Sequence, residues 1–324
     1  MELGKVLVTG GTGVTGVALV RYLLSKNIKV VALVRKNSFR LKYLPVDDAN
    51  LEIVNCNMEN YPDMGDPLKG KGPYDAFFHL SWDGSTIVNK GNSRDDMLLQ
   101  SKNIVHAINA VELCKAIDCP EFIMTGSQAE FGPYDTDIDE SFLSKPVNGY
   151  GNAKLCVENM SRIMCRNYGI KHIWARLFSI YGPYDGTNSL IYTSIIKLLK
   201  GENPAYTKGE QMWDFMYSFD AAKALVLLAE NGRDGEMYCV ANGNTKPLNE
   251  YISVIHKVCA PDIIPKFGDI PYSKGQMMHL GADITKLKND TGFEPDYSFE
   301  EGITEIRDWC VKTNEEYYIR PEDK

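Results

Sequence analysis

Short apolar runs alternate with amphipathic segments along the first half of the chain. The apolar runs fall at 5–8, 29–34, 51–55, 76–80, 121–125 and 172–177, and each is bounded by polar or turn-forming residues. Runs of this kind are typical of strands buried on both faces of a parallel sheet. The stretches between them include helical patterns after residue 16, ending near residue 27, at 95–117 and at 148–168. Strands and helices in this order predict an α/β protein with a doubly wound parallel sheet.

The regular order changes after residue 181, where Pro and Gly become frequent. Helical patterns recur at 220–229, 249–259 and 300–311, with a strand pattern at 236–240 and a charged tail at 315–324 that we expect to fray. Asp220 is the residue type that commonly caps a helix N-terminus, and we assign it that role. We therefore expect a nucleotide-binding domain over 1–176, to which 220–235 return, and a smaller α+β C-terminal lobe over 177–324 that binds the substrate.

A glycine-rich turn follows the first apolar run. Gly10, Gly13 and Gly16 form G-x-x-G-x-x-G between a predicted strand and a predicted helix. Without side chains, such a turn lets the backbone approach a pyrophosphate, and the helix N-terminus offers free N–H groups. This context predicts a Rossmann dinucleotide site. Its first contacts are expected from Gly10, Thr12, Gly13 and Val14.

The residue after the second strand bears on the choice of cofactor. An acidic side chain there would accept hydrogen bonds from a ribose 2′-hydroxyl, as in NAD sites. This chain has Arg35 instead, followed by Lys36, Asn37, Ser38 and Arg40. Arginine cannot accept a hydrogen bond but pairs well with a phosphate, so the position favours NADP, with NAD as the alternative. A solvated basic loop is the simpler interpretation.

Two further strand ends are expected to meet the cofactor. Asn57 and Met58 follow the third strand and are placed to lie along an adenine ring, although Asn57 is equally suited to a plain turn. Leu80 and Ser81 end the fourth strand, and the ends of parallel strands face the ligand in open sheets. The polar loop over 83–92 is expected to be mobile at the same edge.

Composition excludes several classes of protein. The formal net charge is −8, which argues against a general nucleic-acid binder. No apolar run reaches the roughly 18 residues that cross a bilayer, and a strand pattern so near Met1 leaves no room for a signal peptide. The eight cysteines and five histidines are dispersed along the chain, so we expect reduced thiols, no metal site and a cytoplasmic location.

A serine, a tyrosine and a lysine form the candidate catalytic set. Tyr150 and Lys154 are four residues apart at the start of a predicted helix and share one helix face. An ammonium near the phenol would lower the pKa of Tyr150, and a tyrosine so tuned can pass a proton to or from a substrate oxygen. Ser127, at the end of the fifth strand, can hold that same oxygen. An ordinary helix with an exposed lysine is the alternative.

With these residues in view, the chain resembles the extended short-chain dehydrogenase/reductase family, which contains nucleotide-sugar epimerases, dehydratases and ketoreductases. The similarity includes residues 9–16, 79–82, 127–132, 150–154, 176–183, 213–220 and 282–302. The resemblance implies that Tyr150 is the acid/base, that Ser127 binds the substrate oxygen, and that Lys154 anchors the ribose. It also implies a homodimer built on the helices near 95–117 and 150–168, and a nucleotide-diphosphate sugar as substrate.

The chain departs from the family pattern where a substrate diphosphate would bind. Ser179 stands where Asn is frequent, and Trp213 stands where Arg is frequent. Lys274 is a basic residue that could compensate, while Trp213 either stacks on the ligand or fills the core. Trp82 and Gln128 complete the expected substrate contacts.

Three functions are consistent with these patterns. The first is NADPH-dependent reduction of a nucleotide-diphosphate 4-keto-6-deoxy sugar. The second is 4-epimerisation with tightly bound NAD, and the third is a catalytically silent protein that senses NAD(P). Dehydration is disfavoured because Gln128 and Ala129 cannot titrate, and alternation along an extended segment would turn Glu130 away.

Overall fold

A computed structural model describes residues 2–85, 93–186 and 188–313. The loop predicted over 83–92 lies partly, and the tail predicted over 315–324 wholly, outside the described residues. Within them, the strands are β1 Lys5–Thr9, β2 Lys29–Val34, β3 Leu51–Asn55, β4 Ala76–His79, β5 Glu121–Ser127, β6 Lys171–Leu177, β7 Ile180–Tyr181, β8 Ala205–Tyr206, β9 Met212–Trp213, β10 Met216–Tyr217, β11 Glu236–Val240, β12 Lys246–Pro247, β13 Lys266–Phe267 and β14 His279–Leu280. The helices are α1 Val14–Ser25, α2 Gly65–Lys69, α3 Met97–Ala116, α4 Gly149–Tyr168, α5 Leu190–Leu199, α6 Ser218–Asn231, α7 Leu248–Cys259, α8 Thr285–Thr291 and α9 Phe299–Thr313.

Seven strands form one sheet in the order β3-β2-β1-β4-β5-β6-β11, and every neighbouring pair is parallel. The predicted doubly wound α/β fold is confirmed. The connection from β3 crosses over β2 and β1 to β4, so the winding direction reverses between β1 and β4. Ligands bind at the carboxyl ends of the strands at such a reversal.

Helices cover both faces of this sheet. α1 packs against α6 on one face, and α3 packs against α4 on the other. The side chains between sheet and helices are apolar and fully buried on both faces, with Val8, Val20 and Leu225 on the α1 face and Leu7, Val111 and Trp174 on the α3 face. This continuous burial explains why the strands are apolar runs and do not alternate.

The second lobe is built from α5, α7 and α9 with short strand pairs. Its interior is separate from the two sheet clusters and includes Tyr181, Ile195, Ile255 and Ile303. The chain enters the lobe after β6 and returns through α6 to β11, which pairs with β6 at the edge of the main sheet. The part of the chain that returns to the main sheet thus extends to Val240.

Several boundaries differ from the expectations by a few residues. β5 continues to Ser127, and α1 begins at Val14 directly after Gly13. The assignment of Asp220 as an N-cap is wrong, because α6 begins at Ser218 after Tyr217. The Asp220 carboxylate instead accepts hydrogen bonds from the backbone N–H groups of Asp296, at 2.8 Å, and Tyr297.

Candidate active site

The glycine turn between β1 and α1 has the geometry that close approach of a pyrophosphate requires. Gly10 has a φ of +70°, and a Cβ there would lie 2.6 Å from the carbonyl carbon of Leu80. A Cβ on Gly16 would lie 2.1 Å from the carbonyl oxygen of Gly10. Gly13 is exposed at the N-cap of α1 with no side chain bonded to the helix terminus. The turn therefore packs tightly on the sheet and leaves the helix N–H groups open to an anion.

Thr12 and the basic loop after β2 lie beside this turn. Arg40 donates from Nε to the carbonyl oxygen of Thr12 at 2.6 Å and from Nη2 to the carbonyl oxygen of Tyr184. Its guanidinium therefore links the nucleotide-binding domain to the second lobe. Arg35 is exposed at the carboxyl end of β2, where its guanidinium remains accessible to a phosphate.

The next two strand ends are half-buried at the same edge. Asn57 donates from Nδ2 to Glu59 at 3.1 Å, and Met58 packs on the core of the α3 face. Leu80 donates its backbone N–H to Thr9, and the Ser81 side chain hydrogen-bonds to the buried Tyr61. The structure thus brings the expected cofactor residues to one edge and gives Asn57 a role in its own turn.

Ser127 ends β5 and begins a single turn of 3-10 helix over Gln128–Glu130. Its Oγ accepts from the N–H of Ala129, and its own N–H donates to Glu130 Oε1 at 2.6 Å. Glu130 is turned away from the edge, as expected, but it is turned by this helical turn and not by alternation along a strand. Gln128 Oε1 is buried with no hydrogen-bond partner in the described part of the chain.

Glu130 is held in the interior by buried donors. Its Oε2 accepts from Trp174 Nε1 at 2.9 Å and from Arg176 Nε at 2.7 Å, and the Arg176 Nη2 also donates to Glu158 at 2.6 Å. Both Glu130 and Arg176 are almost fully buried. The carboxylate is therefore a structural group under the site.

Tyr150 and Lys154 lie on the buried face of α4, and Asn148 caps this helix by accepting from the Gly151 N–H. Burial raises the pKa of Tyr150, while hydrogen bonding to Ser127 and the charge of Arg94 oppose this. Burial also disfavours the charged form of Lys154, and it therefore lowers the pKa of this lysine to about 7. The expectation that Lys154 lowers the pKa of Tyr150 is wrong in this state, because Lys154 is itself desolvated and donates to the carbonyl oxygen of Thr125 at 2.7 Å.

Trp82 and Arg94 pack against the ring of Tyr150. The Trp82 ring meets the Tyr150 ring edge-on, with centroids 5.9 Å apart, and Lys154 Nζ lies 4.0 Å from the Trp82 ring centroid. Trp82 Nε1 donates to Gln100 Oε1 at 2.9 Å. Arg94 lies over the Tyr150 ring, with its guanidinium carbon 4.7 Å from the centroid. Sequence reasoning missed Arg94, because this residue lies in a polar stretch before α3 that has no periodicity and no motif.

A cavity of about 430 Å³ opens in the second lobe beyond the end of β6. Ser179 and Trp213 both line it, and Trp213 Nε1 donates to Ser179 Oγ at 2.5 Å. Trp213 also packs on two apolar clusters, so it lines the cavity and supports the core together. Lys274 is exposed and is not among the described lining residues, none of which is basic. The compensating role of Lys274 stays a prediction.

The described residues contain neither a metal-binding cluster nor a membrane-spanning helix. No group of three or more His, Cys, Asp or Glu side chains is arranged there to hold a metal ion. No described helix is both long and apolar enough to cross a bilayer. None of the eight cysteines, all of which lie within the described residues, is joined in a disulfide.

A parallel sheet with a glycine turn at its reversal and a Ser-Tyr-Lys set beside it defines an extended short-chain dehydrogenase/reductase. The chain belongs to the NAD dependent epimerase/dehydratase family, whose family model matches residues 6–241. It is an enzyme of that family and of the nicotinamide-dependent type.

Individual relatives cover nearly the whole chain. The dTDP-glucose 4,6-dehydratase of Escherichia coli is 26% identical over 95% of this chain and 92% of its own. The structure of UDP-N-acetylglucosamine 4-epimerase from Methanobrevibacter ruminantium, in complex with UDP-N-acetylmuramic acid, superposes with a TM-score of 0.85 at 28% identity, covering 97% of this chain and all of its own. UDP-glucose 4-epimerase from Thermotoga maritima shares the fold, with a TM-score of 0.82 at 23% identity over 96% of this chain and all of its own.

Proposed function

We propose that this enzyme is an NADPH-dependent 4-ketoreductase acting on a nucleotide-diphosphate 4-keto-6-deoxy sugar. The observation that carries the proposal is Arg35, exposed at the end of β2 where an NAD site would need an acceptor. Arginine there pairs with a 2′-phosphate, and the phosphorylated cofactor serves reduction. The glycine turn suits a pyrophosphate, since the lack of side chains at Gly10 and Gly16 lets the turn pack tightly, while Gly13 is exposed at the N-cap of α1.

The chemistry of the chain's own residues matches a reduction. When bound, the nicotinamide supplies the hydride. Tyr150 donates the proton to the nascent alkoxide from a position hydrogen-bonded to Ser127, which holds the same oxygen. Lys154, one helical turn from Tyr150, is placed to bind the nicotinamide ribose. Gln128 Oε1, buried without a partner among the described residues, is available to accept from a sugar hydroxyl.

Elimination of water is disfavoured by the position of Glu130. A dehydratase needs a base and an acid beside the sugar, and the only carboxylate in the turn after Ser127 is bonded to Trp174 and Arg176 inside the molecule. Gln128 and Ala129 carry no titratable group. These positions leave the tyrosine as the proton carrier in the proposed site.

The nucleotide is proposed to occupy the cavity of the second lobe. Its walls are mostly apolar and include Trp213, Phe215 and Tyr206, which suit stacking on a base. Gln211 also lines it, is almost fully buried and has an Oε1 without a partner among the described residues. A nucleobase N–H would satisfy this oxygen. The N-terminus of α5, at Ser189 and Leu190, borders the same cavity and can face the diphosphate.

A 4-epimerase is the second candidate. It is favoured by the similarity to the Methanobrevibacter ruminantium UDP-N-acetylglucosamine 4-epimerase along the whole chain. Ser127, Tyr150 and Lys154 would serve an epimerase equally well, with the tyrosine taking the proton in one half-reaction and returning it in the other. Arg35 is the residue that argues for the reductase.

The two candidates separate in one assay. The purified enzyme is incubated with a panel of nucleotide-diphosphate sugars and their 4-keto-6-deoxy forms, with NADPH, NADH or no added cofactor. A reductase consumes NADPH in proportion to a 4-keto substrate. An epimerase interconverts 4-hydroxy epimers with no net consumption of cofactor and retains NAD through purification. A product lighter by one water would contradict both candidates and bring Glu130 back into the site.

We also propose a homodimer through α3 and α4. The outer faces of these packed helices expose large apolar side chains, namely Met97, Leu98, Val105, Met160 and Ile163. Exposed large apolar side chains on two packed helices are the kind of surface that a protein interface covers. Val105→Glu together with Ile163→Glu should convert a dimer to a monomer in light scattering, while Leu143→Glu, an exposed leucine outside these helices, should leave the mass unchanged.

A further inference from the structure

Among the described residues, Arg94 is the cation that lies over the ring of Tyr150, the proposed proton carrier. We propose that Arg94 is a positioning residue for the reaction, which fixes the Tyr150 ring beside Ser127 and supplies the positive charge that favours a tyrosinate. This inference rests on the role of Tyr150 in the proposed function. It concerns a residue that lies outside the Ser127, Tyr150 and Lys154 set.

The turn that carries Arg94 is clamped to the start of α4. Asp95 Oδ1 accepts from the backbone N–H of Gly149 at 2.9 Å. A Cβ on Gly149 would lie 2.9 Å from the carbonyl oxygen of Arg94 and 2.8 Å from the sulfur of Met97. Glycine at 149 therefore permits the close approach that holds the guanidinium over the next residue of the helix.

Among the described residues, no carboxylate neutralises the charge of Arg94. Within 2–85, 93–186 and 188–313, the structure gives Arg94 no ion pair, and its buried Nε has no hydrogen-bond partner. The guanidinium is held by its contact with the Tyr150 ring, 4.7 Å from the centroid. A cation on the face of an aromatic ring in a desolvated site interacts more strongly than one at the surface.

The other groups that face Tyr150 do not replace this charge. Ser127 on β5 donates a hydrogen bond but is neutral, Glu130 in the following turn is negative and opposes a tyrosinate, and Trp82 meets the ring edge-on. Lys154, one turn further along α4, is desolvated, which favours its neutral form. Arginine remains charged at any pH that the protein meets, so Arg94 is the constant source of positive potential.

The test measures ionisation of Tyr150 directly, without substrate. The ultraviolet absorbance of tyrosinate is titrated with pH, and the titration of the matching Tyr150→Phe protein is subtracted in each background. We expect Arg94→Gln to raise the ionisation midpoint of Tyr150 by about one pH unit. Arg94→Lys should recover most of the change, because it keeps the charge. Arg166→Gln, an exposed arginine at the far end of α4, should behave as wild type.

Turnover provides the second measurement. With a sugar nucleotide that the wild type uses, Arg94→Gln should lower kcat about tenfold and leave KM nearly unchanged. If Arg94→Gln does not fold by circular dichroism, Arg94→Ala replaces it against the same controls. An unchanged midpoint in a folded variant overturns the role of Arg94. Absence of turnover in the wild type with every sugar nucleotide would contradict the proposed function alone, because the midpoint is measured without substrate.

Discussion

Glu130 and Arg176 form an ion pair inside the sheet domain, with 2.7 Å between Oε2 and Nε and almost no exposure of either side chain. The pair lies directly below Ser127, whose backbone N–H donates to the other oxygen of the same carboxylate. The position of the serine hydroxyl is thus tied to a buried charge.

Removing one member of this pair should be costly. Glu130→Ala should lower the free energy of unfolding by about 3–5 kcal/mol, because it leaves Arg176 buried with one charge partner fewer. Urea denaturation measures this value. Glu300→Ala breaks the exposed pair with Lys257 and should cost less than about 1 kcal/mol. Similar losses of unfolding free energy in the two variants would show that the buried pair stabilises the fold no more than the exposed pair does.

Tyr150→Phe should retain the fold and nicotinamide binding but lose about 10²–10⁴-fold in kcat, since it removes a general acid while keeping the ring. Steady-state kinetics and fluorescence titration of cofactor binding provide the two values. Tyr168→Phe, at the other end of α4, is the matched control and should be nearly as active as wild type. Near-normal activity of Tyr150→Phe would place the proton transfer elsewhere.

Arg35→Asp should weaken binding of NADPH and leave NADH unaffected or improved, because the carboxylate repels a 2′-phosphate and accepts from a 2′-hydroxyl. The ratio of kcat/KM for the two cofactors measures this preference. Lys36→Asp makes the same change of charge in the neighbouring exposed residue and should have the smaller effect. A wild type that uses NADH as efficiently as NADPH would contradict the NADP assignment.

Two buried histidines should make the fold sensitive to acid. Burial lowers the pKa values of His79 and His172 to about 3, below the unfolded value of about 6.5. Between these pH values the unfolded chain binds more protons than the folded one. The free energy of unfolding should therefore fall on acidification below pH 6.5, by about 1.4 kcal/mol per pH unit for each histidine.

Substitution of one histidine tests this slope. His172 is stacked between Phe122 and Trp174, so His172→Phe keeps an aromatic ring there and should make the pH dependence of stability less steep. Ser161→Ala removes the hydrogen-bond partner of His172 but keeps the imidazole, and it should preserve the slope. Chemical denaturation between pH 4 and 8 supplies both curves, and equal slopes in all three proteins would exclude His172 as a source.

The sheet could be predicted from the sequence because its strands are short apolar runs, and the central strands β1, β4 and β5 are buried almost throughout. The bounds of β2, β3 and β11 agree with the apolar runs at 29–34, 51–55 and 236–240. The start of α6 could not be predicted in the same way. Asp220 has the preference of an N-cap, but its carboxylate binds the backbone at Asp296, a partner that only the tertiary structure provides.

The sequence predicts that Tyr150 and Lys154 lie close together, but it does not predict their electrostatics. The spacing of Tyr150 and Lys154 on one helix face is a local property of the sequence. The burial that changes the pKa of both groups comes from other elements, among them Trp82 and Arg94. Long-range packing of this kind carries no periodic signal in the chain.

The path of the chain through the second lobe also limits where the protein can be truncated. β11 is the edge strand of the main sheet beside β6, and α6 packs against α1. Both β11 and α6 come after the first segment of the second lobe in the chain. During synthesis, α1 is made about two hundred residues before α6, the helix against which it packs. A fragment ending at residue 176 would expose the α6-facing side of α1 and an open strand at β6, which invites aggregation. The shortest portion that we expect to be expressed in soluble form therefore includes the whole of β11.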